Sequence, residues 1–138
     1  MRRKGPDEVR RFAEVAKQRY DEAMFLLRGG FGTGAAYLAG YAVECMLKSL
    51  WLSRVPARDW PAVSEEFRGA KAHDFEWLKG RYLQNGGETF PPAISKAFTK
   101  VNSWRTELRY KPGRMRIKDA EEFLQAVNEI VEWARRRL

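Results

Sequence analysis

Apolar side chains recur at every third or fourth position along almost the whole chain, which is the spacing of one face of an α-helix. Five such stripes are present, and no stretch shows the strict alternation of a β-strand, a hairpin turn or an internal repeat. The last stripe comprises Ala120, Phe123, Leu124, Val127, Ile130, Val131 and Ala134. The pattern predicts an all-α bundle of five helices in a single domain that spans residues 1–138.

Prolines and glycines mark the ends of these helices. The predicted helices cover approximately residues 7–28, 33–52, 73–83, 92–110 and 119–138. Residues 53–72 are predicted to form a long connection, because their prolines and mixed charges interrupt the apolar spacing. Asp119 and Glu122 have the spacing of a capping box, which places the start of the last helix near Asp119.

The second predicted helix is apolar on nearly all sides, as its sequence AAYLAGYAVECMLKSLWL shows. A helix with so little polar surface is normally the central, buried one. Its alanines and Gly40 would let the neighbouring helices approach closely. Glu44 and Lys48 are its charged residues, spaced i to i+4 in the favourable order for an ion pair within one helix.

The charge and the numbers of cysteines and histidines limit which ligands and metal sites the chain can have. The chain carries 26 Lys and Arg against 18 Asp and Glu, a formal net charge of +8, which favours polyanionic partners such as RNA or nucleotides. A single cysteine, Cys45, excludes an internal disulfide and a cysteine-based zinc site, and a single histidine, His73, excludes a multi-histidine metal site. We therefore expect neither a metal nor another cofactor. With no apolar signal segment and no membrane-spanning run, we expect a cytoplasmic protein.

The stretch WRTELRYKPG, residues 104–113, is the best candidate for a ligand site. Arg105 and Arg109 lie one helical turn apart, and their planar guanidinium groups can each bind a phosphate in two places. Tyr110 can donate a hydrogen bond to phosphate or stack on a base. The simpler alternative is a solvated helix end with no ligand.

Three motifs resemble the HEPN family of small helical proteins: YLAGYAVECMLKSL (residues 37–50), AHDFEWL (72–78) and VNSWRTELRY (101–110), followed by a closing amphipathic helix. The resemblance implies an up-and-down helical bundle that often forms a homodimer. It also implies an RNA-cleaving toxin or defence effector, which often pairs with a minimal nucleotidyltransferase encoded alongside it.

Active members of that family carry an Arg, four to six residues and then a His. Arg105 matches the arginine, but Tyr110 stands where the histidine would fall. Metal-free RNA cleavage needs proton transfer, for which a histidine with a pKa of about 6.5 suits better than a tyrosine with a pKa of about 10. The candidate catalytic residues are therefore Arg105, Tyr110 and His73, and the candidate phosphate-binding residues are Arg105 and Arg109.

Two of the candidates have alternative roles. His73 could supply the missing base, or it could only cap a helix or make a local hydrogen bond at the start of that helix. Glu44, with Lys48, could contact Arg105 and orient it. In that case Glu44→Gln would weaken ligand binding without unfolding the protein. Alternatively, the two residues form only an ion pair within their helix.

The sequence is compatible with three functions. The first is a toxin–antitoxin or defence protein that binds RNA or nucleotide phosphate and acts as a metal-independent endoribonuclease. The second is a noncatalytic module that binds nucleotide or nucleic acid, or docks a nucleotidyltransferase. The third is a structural interaction protein with no ligand site.

Overall fold

The computed structural model describes residues 4–102 and 112–138, with side chains from residue 7 onward. Within these residues, six α-helices follow one another: α1 (Lys4–Arg28), α2 (Gly32–Ser53), α3 (Trp60–Glu66), α4 (Phe75–Gln84), α5 (Pro92–Val101) and α6 (Ile117–Arg135). Short 3-10 turns at Ala57–Asp59 and Ala70–His73 precede α3 and α4. Every regular element in this part of the chain is helical, which confirms the all-α prediction.

The helix α2 is the centre of the bundle, as its composition predicts. It packs against α1, α4 and α6, while α5 packs against α6. Its small residues are buried, among them Ala35, Ala39 and Gly40. Farther along α2, Leu47 and Trp51 are almost fully enclosed by the surrounding helices.

The prediction of a long connection over residues 53–72 is wrong, because α3 lies inside it. Trp60 and Val63 are the buried residues of this helix. The Trp60 indole nitrogen donates to the carbonyl of Leu52 at 3.2 Å and to that of Val55 at 3.0 Å. A helix of seven residues with two core side chains is too short to produce a periodic stripe, so the sequence pattern missed it.

The predicted capping box at Asp119 is also wrong. The last helix begins at Ile117, and Arg116 occupies the N-cap position without a side-chain capping bond. Asp119 lies in the first turn, where its carboxylate accepts a hydrogen bond from Arg116 Nε at 3.1 Å. An acidic residue in the first turn complements the positive end of the helix without serving as the cap.

The structure describes the first part of the predicted fourth helix, which is α5. Ile94, Phe98 and Val101 bury its apolar face, and the described helix α5 ends at Val101. Arg105, Arg109 and Tyr110 lie outside the described residues. Within residues 4–102 and 112–138, no helix combines the length and apolar character that crossing a membrane requires.

Gly87 and Gly80 provide a test of how tightly the bundle is packed around Tyr82, which is fully buried. A Cβ added at Gly87 would lie 2.5 Å from the Tyr82 ring, whereas one added at Gly80 would meet no atom within 4 Å. We expect Gly87→Ala to lower the free energy of unfolding by about 1–3 kcal/mol, because it overpacks the core. Gly80→Ala, within α4, should raise it by about 0.5–1 kcal/mol. Urea unfolding monitored by circular dichroism measures both, and equal effects would contradict the packing described here.

Candidate functional site

The described part of the site is built around Glu44, a carboxylate enclosed by the bundle. One carboxylate oxygen, Oε2, accepts from Lys48 Nζ at 3.0 Å, and the other, Oε1, lies 2.9 Å from His73 Nδ1. The side chains of Glu44 and Lys48 are 5% and 9% exposed, whereas that of His73 is 44% exposed. This Glu44–Lys48–His73 cluster therefore connects the interior of the protein to its surface.

Local structure explains how the cluster forms. Glu44 and Lys48 are one turn apart on α2, so their side chains meet on the same face. His73 ends the 3-10 turn that leads into α4, and Asp74 caps α4 by accepting from the amides of Glu76 and Trp77 at 2.9 and 3.3 Å. The capping role considered for His73 therefore belongs to Asp74, while His73 bonds a residue 29 positions earlier in the chain.

The bond to Glu44 determines how His73 presents its ring. A neutral imidazole bonded to a carboxylate through Nδ1 carries its proton there and keeps the Nε2 lone pair free to accept. His73 makes this hydrogen bond through Nδ1, and 44% of its side chain is exposed. His73 is thus a fixed, accessible imidazole that can take up a proton at Nε2 or donate one when charged.

Lys48 has a different position in the cluster. Its Nζ lies 5.1 Å from the centre of the Phe67 ring as well as against Glu44. A cation over an aromatic face gains electrostatic stabilisation, most of all when it is shielded from water. Lys48 therefore neutralises the buried carboxylate from the interior, and His73 is the member of the cluster that a ligand can reach.

Two tyrosines that were not among the residues predicted for the site extend the polar side of α2. The hydroxyl oxygens of Tyr37 and Tyr41 are 3.3 Å apart, and their rings meet edge to face with centroids 5.3 Å apart. Tyr41 precedes Glu44 by three residues and Lys48 by seven, so these side chains follow one face of the helix. The i, i+4 spacing of polar-tipped residues in an otherwise apolar helix was the signal that could have identified them.

Cys45 is half-buried beside this face. Burial, and after it the negative charge of Glu44, raises the pKa of its thiol to about 11, against the lowering effect of Lys48 and Arg19. A thiol with so high a pKa is protonated at neutral pH and is a poor nucleophile. Cys45 thus contributes packing to α2.

The structure brings together three of the residues singled out from the sequence, namely Glu44, Lys48 and His73. The arginines and the tyrosine of the WRTELRY stretch lie outside the described residues, so the orienting contact between Glu44 and Arg105 stays a prediction. No group of three or more metal-ligating side chains occurs in the described part of the chain.

In the described residues the protein is an all-helical bundle, and its buried Glu44–Lys48 pair contacts a histidine at the surface. A family model for the HEPN domain matches residues 9–137, nearly the whole chain. The chain therefore belongs to the HEPN family, as its motifs indicated. This membership supports a general nucleotide-related, RNA-related or toxin-like role. Comparison with curated proteins and with solved structures gave no match.

The burial of Glu44 changes the effect expected of Glu44→Gln. Glutamine keeps the shape but removes the charge, which leaves the buried Lys48 ammonium without its counter-charge. Removing one partner of a buried ion pair typically costs about 3–5 kcal/mol, so we expect a loss of stability of at least about 3 kcal/mol. The double variant Glu44→Gln/Lys48→Met should recover much of that loss, because no uncompensated charge remains. Urea unfolding of Glu44→Gln, of Lys48→Met and of the double variant tests this. A loss below about 1 kcal/mol for Glu44→Gln would contradict it.

Cys45 predicts a dependence of stability on alkaline pH. Its pKa is about 11 in the folded protein against an ordinary value of 9.0. Above pH 9 the unfolded chain releases this proton first, so the folded state loses stability between pH 9 and 11, by about 2–3 kcal/mol in total. The stability difference between the wild type and Cys45→Ala should therefore shift in favour of the variant across this interval. A difference that stays constant from pH 8 to 11 would refute the raised pKa.

Proposed function

We propose that the protein is a HEPN-type component of a toxin–antitoxin or defence system that binds RNA or nucleotide phosphate through Arg105 and Arg109. The family match is the observation that carries this proposal, because it covers residues 9–137 and so includes the WRTELRY stretch. The formal net charge of +8 supports a polyanionic ligand. In this role the two arginines bind the phosphate, and Tyr110 donates a hydrogen bond to it or stacks on a base.

Cleavage of the bound RNA would require a group that transfers protons, and the Glu44–Lys48–His73 cluster supports His73 in that role. The 2′-hydroxyl would lose its proton to His73 Nε2 while its oxygen attacks the adjacent phosphorus. The bond from phosphorus to the 5′-oxygen then breaks, and the leaving oxygen takes a proton from the charged imidazole or from water. Arg105 would stabilise the negative charge that develops on the phosphorus oxygens, without a metal ion.

Glu44 would act in this reaction through His73. Its carboxylate holds the imidazole in the tautomer that presents Nε2 and stabilises the charged ring once the proton has arrived. The geometry behind this assignment is the 2.9 Å approach of Oε1 to Nδ1. Lys48 would supply the counter-charge to the carboxylate in its buried position.

A noncatalytic role is the second candidate. Family membership favours it, because proteins of this family often associate with a nucleotidyltransferase partner or form dimers. In this alternative, the chain docks a minimal nucleotidyltransferase that serves as its antitoxin, and a homodimer is the expected assembly. Tyr110 in place of the family's histidine then reflects a site that binds without cutting.

The two candidates differ in what purified protein does to labelled RNA. We expect the wild type to bind RNA in a salt-dependent manner, and Arg105→Ala to weaken binding about tenfold or more, because it removes charged hydrogen bonds to phosphate. If the protein also cuts RNA, His73→Ala should abolish cleavage while leaving binding within about twofold. Arg68→Ala is a matched control, since the Arg68 side chain is 80% exposed in the loop after α3.

Three outcomes decide between the candidates. Cleavage that is lost with His73→Ala supports the nuclease. Binding without cleavage supports a module that recognises RNA. Absence of both, together with a stable complex with a nucleotidyltransferase, would replace the RNA-binding proposal by the docking role.

A further inference from the structure

A groove lies between the first half of α1, the end of α2 and the end of α6, and the function proposed above does not use it. Its volume is about 630 Å³, which is in the range of sites that hold small molecules. Its most buried lining residues are Leu52 and Trp60, which are 1% and 7% exposed. Val9 and Ala13, one helical turn apart on α1, line one side of it. We call this cavity the Trp60 groove.

Hydrogen bonds fix the residues around the Trp60 groove. The indole nitrogen of Trp60 donates to the carbonyls of Leu52 and Val55, which holds the ring in place. Ser49 Oγ donates to the Val9 carbonyl at 2.6 Å and so ties α1 to α2 beside the groove. Because these contacts form the groove without a ligand, binding requires little ordering of the protein.

The charged side chains that line the Trp60 groove, among the described residues, are the arginines Arg10, Arg135 and Arg137. Arg135 pairs with Glu132 at 3.1 Å and Arg137 pairs with Glu88 at 3.0 Å, so carboxylates balance two of these three charges. Arg10 lies exposed on α1 and adds the third. Positive charge at an apolar cavity favours a ligand that carries a negative group.

Arg137 is held in one orientation at the groove. Its Nη1 donates to the Trp133 carbonyl at 2.9 Å, and its guanidinium carbon lies 4.1 Å from the centre of the Trp133 ring. The side chain is 24% exposed. A guanidinium has five N–H donors, more than these contacts and the pairing with Glu88 use, so Arg137 can also donate to a carboxylate in the groove.

Acidic side chains line the two neighbouring hollows, which share lining residues with the Trp60 groove. The hollow farther along α1 contains Glu14, Asp21 and Glu132 together with three cationic side chains, so its charges balance. The hollow on the other side contains Asp7 and Glu8. An anionic group is therefore favoured in the Trp60 groove over either neighbour.

We propose that the Trp60 groove binds a small amphipathic carboxylate of the medium-chain fatty-acid type. The carbon chain lies against the apolar residues, and the carboxylate accepts hydrogen bonds from Arg10 and Arg137. A neutral apolar molecule would gain nothing from the arginines, and inorganic phosphate would gain nothing from the apolar lining. This site is separate from the phosphate-binding role proposed for Arg105 and Arg109 and does not depend on it.

The test measures binding of hexanoate, octanoate, decanoate and 1-octanol to the full chain at pH 7 by isothermal titration calorimetry, with each compound below the concentration at which it aggregates. We expect the affinity of the carboxylates to rise about two- to fourfold for each added methylene, because each CH₂ group leaves water. Octanol should bind at least about fivefold more weakly than octanoate, because it cannot accept charged hydrogen bonds as a carboxylate does.

Two neighbouring arginines provide a matched pair of variants. Arg10→Gln should weaken decanoate binding about 5- to 10-fold, because it removes a charged hydrogen bond at the edge of the groove. Arg11→Gln is the control, since Arg11 is also exposed on α1, pairs with Glu8 and is not among the residues that line the groove. The control should change decanoate binding less than about twofold.

Two exposed alanines provide a second pair. Ala57 lines the groove at the first position of its 3-10 turn, and Ala70 begins the other 3-10 turn. Ala57→Glu should weaken decanoate binding about two- to fivefold without weakening octanol binding, because it places a negative charge beside the carboxylate. Ala70→Glu should leave the binding of both compounds unchanged. Circular dichroism checks that each variant is folded.

The chain-length dependence, the preference for octanoate over octanol and the effects of Arg10→Gln and Ala57→Glu together support the inference. If Arg10→Gln and Arg11→Gln have equal effects, or if affinity does not depend on chain length, the Trp60 groove is not a fatty-acid site. If octanol binds as tightly as octanoate, the groove does not recognise an anion and the inference is wrong. Binding to phosphatidylglycerol vesicles without binding of free decanoate would indicate a membrane surface and would also overturn it.

Discussion

The fold depends on the enclosure of α2, and the pairing of Glu44 is the condition under which that enclosure is tolerable. A helix surrounded by α1, α4 and α6 leaves no water for its charged groups, so each charge must find a partner inside the protein. Glu44 satisfies Lys48 with one oxygen and His73 with the other. The same carboxylate therefore neutralises the interior of α2 and ties the turn before α4 to it. The position of the surface imidazole therefore follows from the way in which the buried Glu44 carboxylate is paired.

The sequence predicted those features that depend on neighbouring residues. The apolar character of α2 and the i, i+4 spacing of Glu44 and Lys48 both follow from local pattern, and both are present in the structure. The approach of His73 to Glu44 could not be predicted, because it joins residues 29 positions apart and depends on how α4 packs on α2. The prediction missed helix α3 for a different reason: its two buried residues, Trp60 and Val63, are too few to produce a recognisable apolar face.

Phosphate binding and proton transfer place unequal demands on the structure. Attraction between cations and phosphate extends over a Debye length of about 8 Å at physiological salt. A proton-transfer group must instead come within about 3 Å of the atom that it serves. The usual HEPN motif meets both demands on one helix, whereas this chain has Tyr110 at the position of the base and carries its histidine on the turn before α4. RNA binding therefore requires less of this architecture than RNA cleavage does.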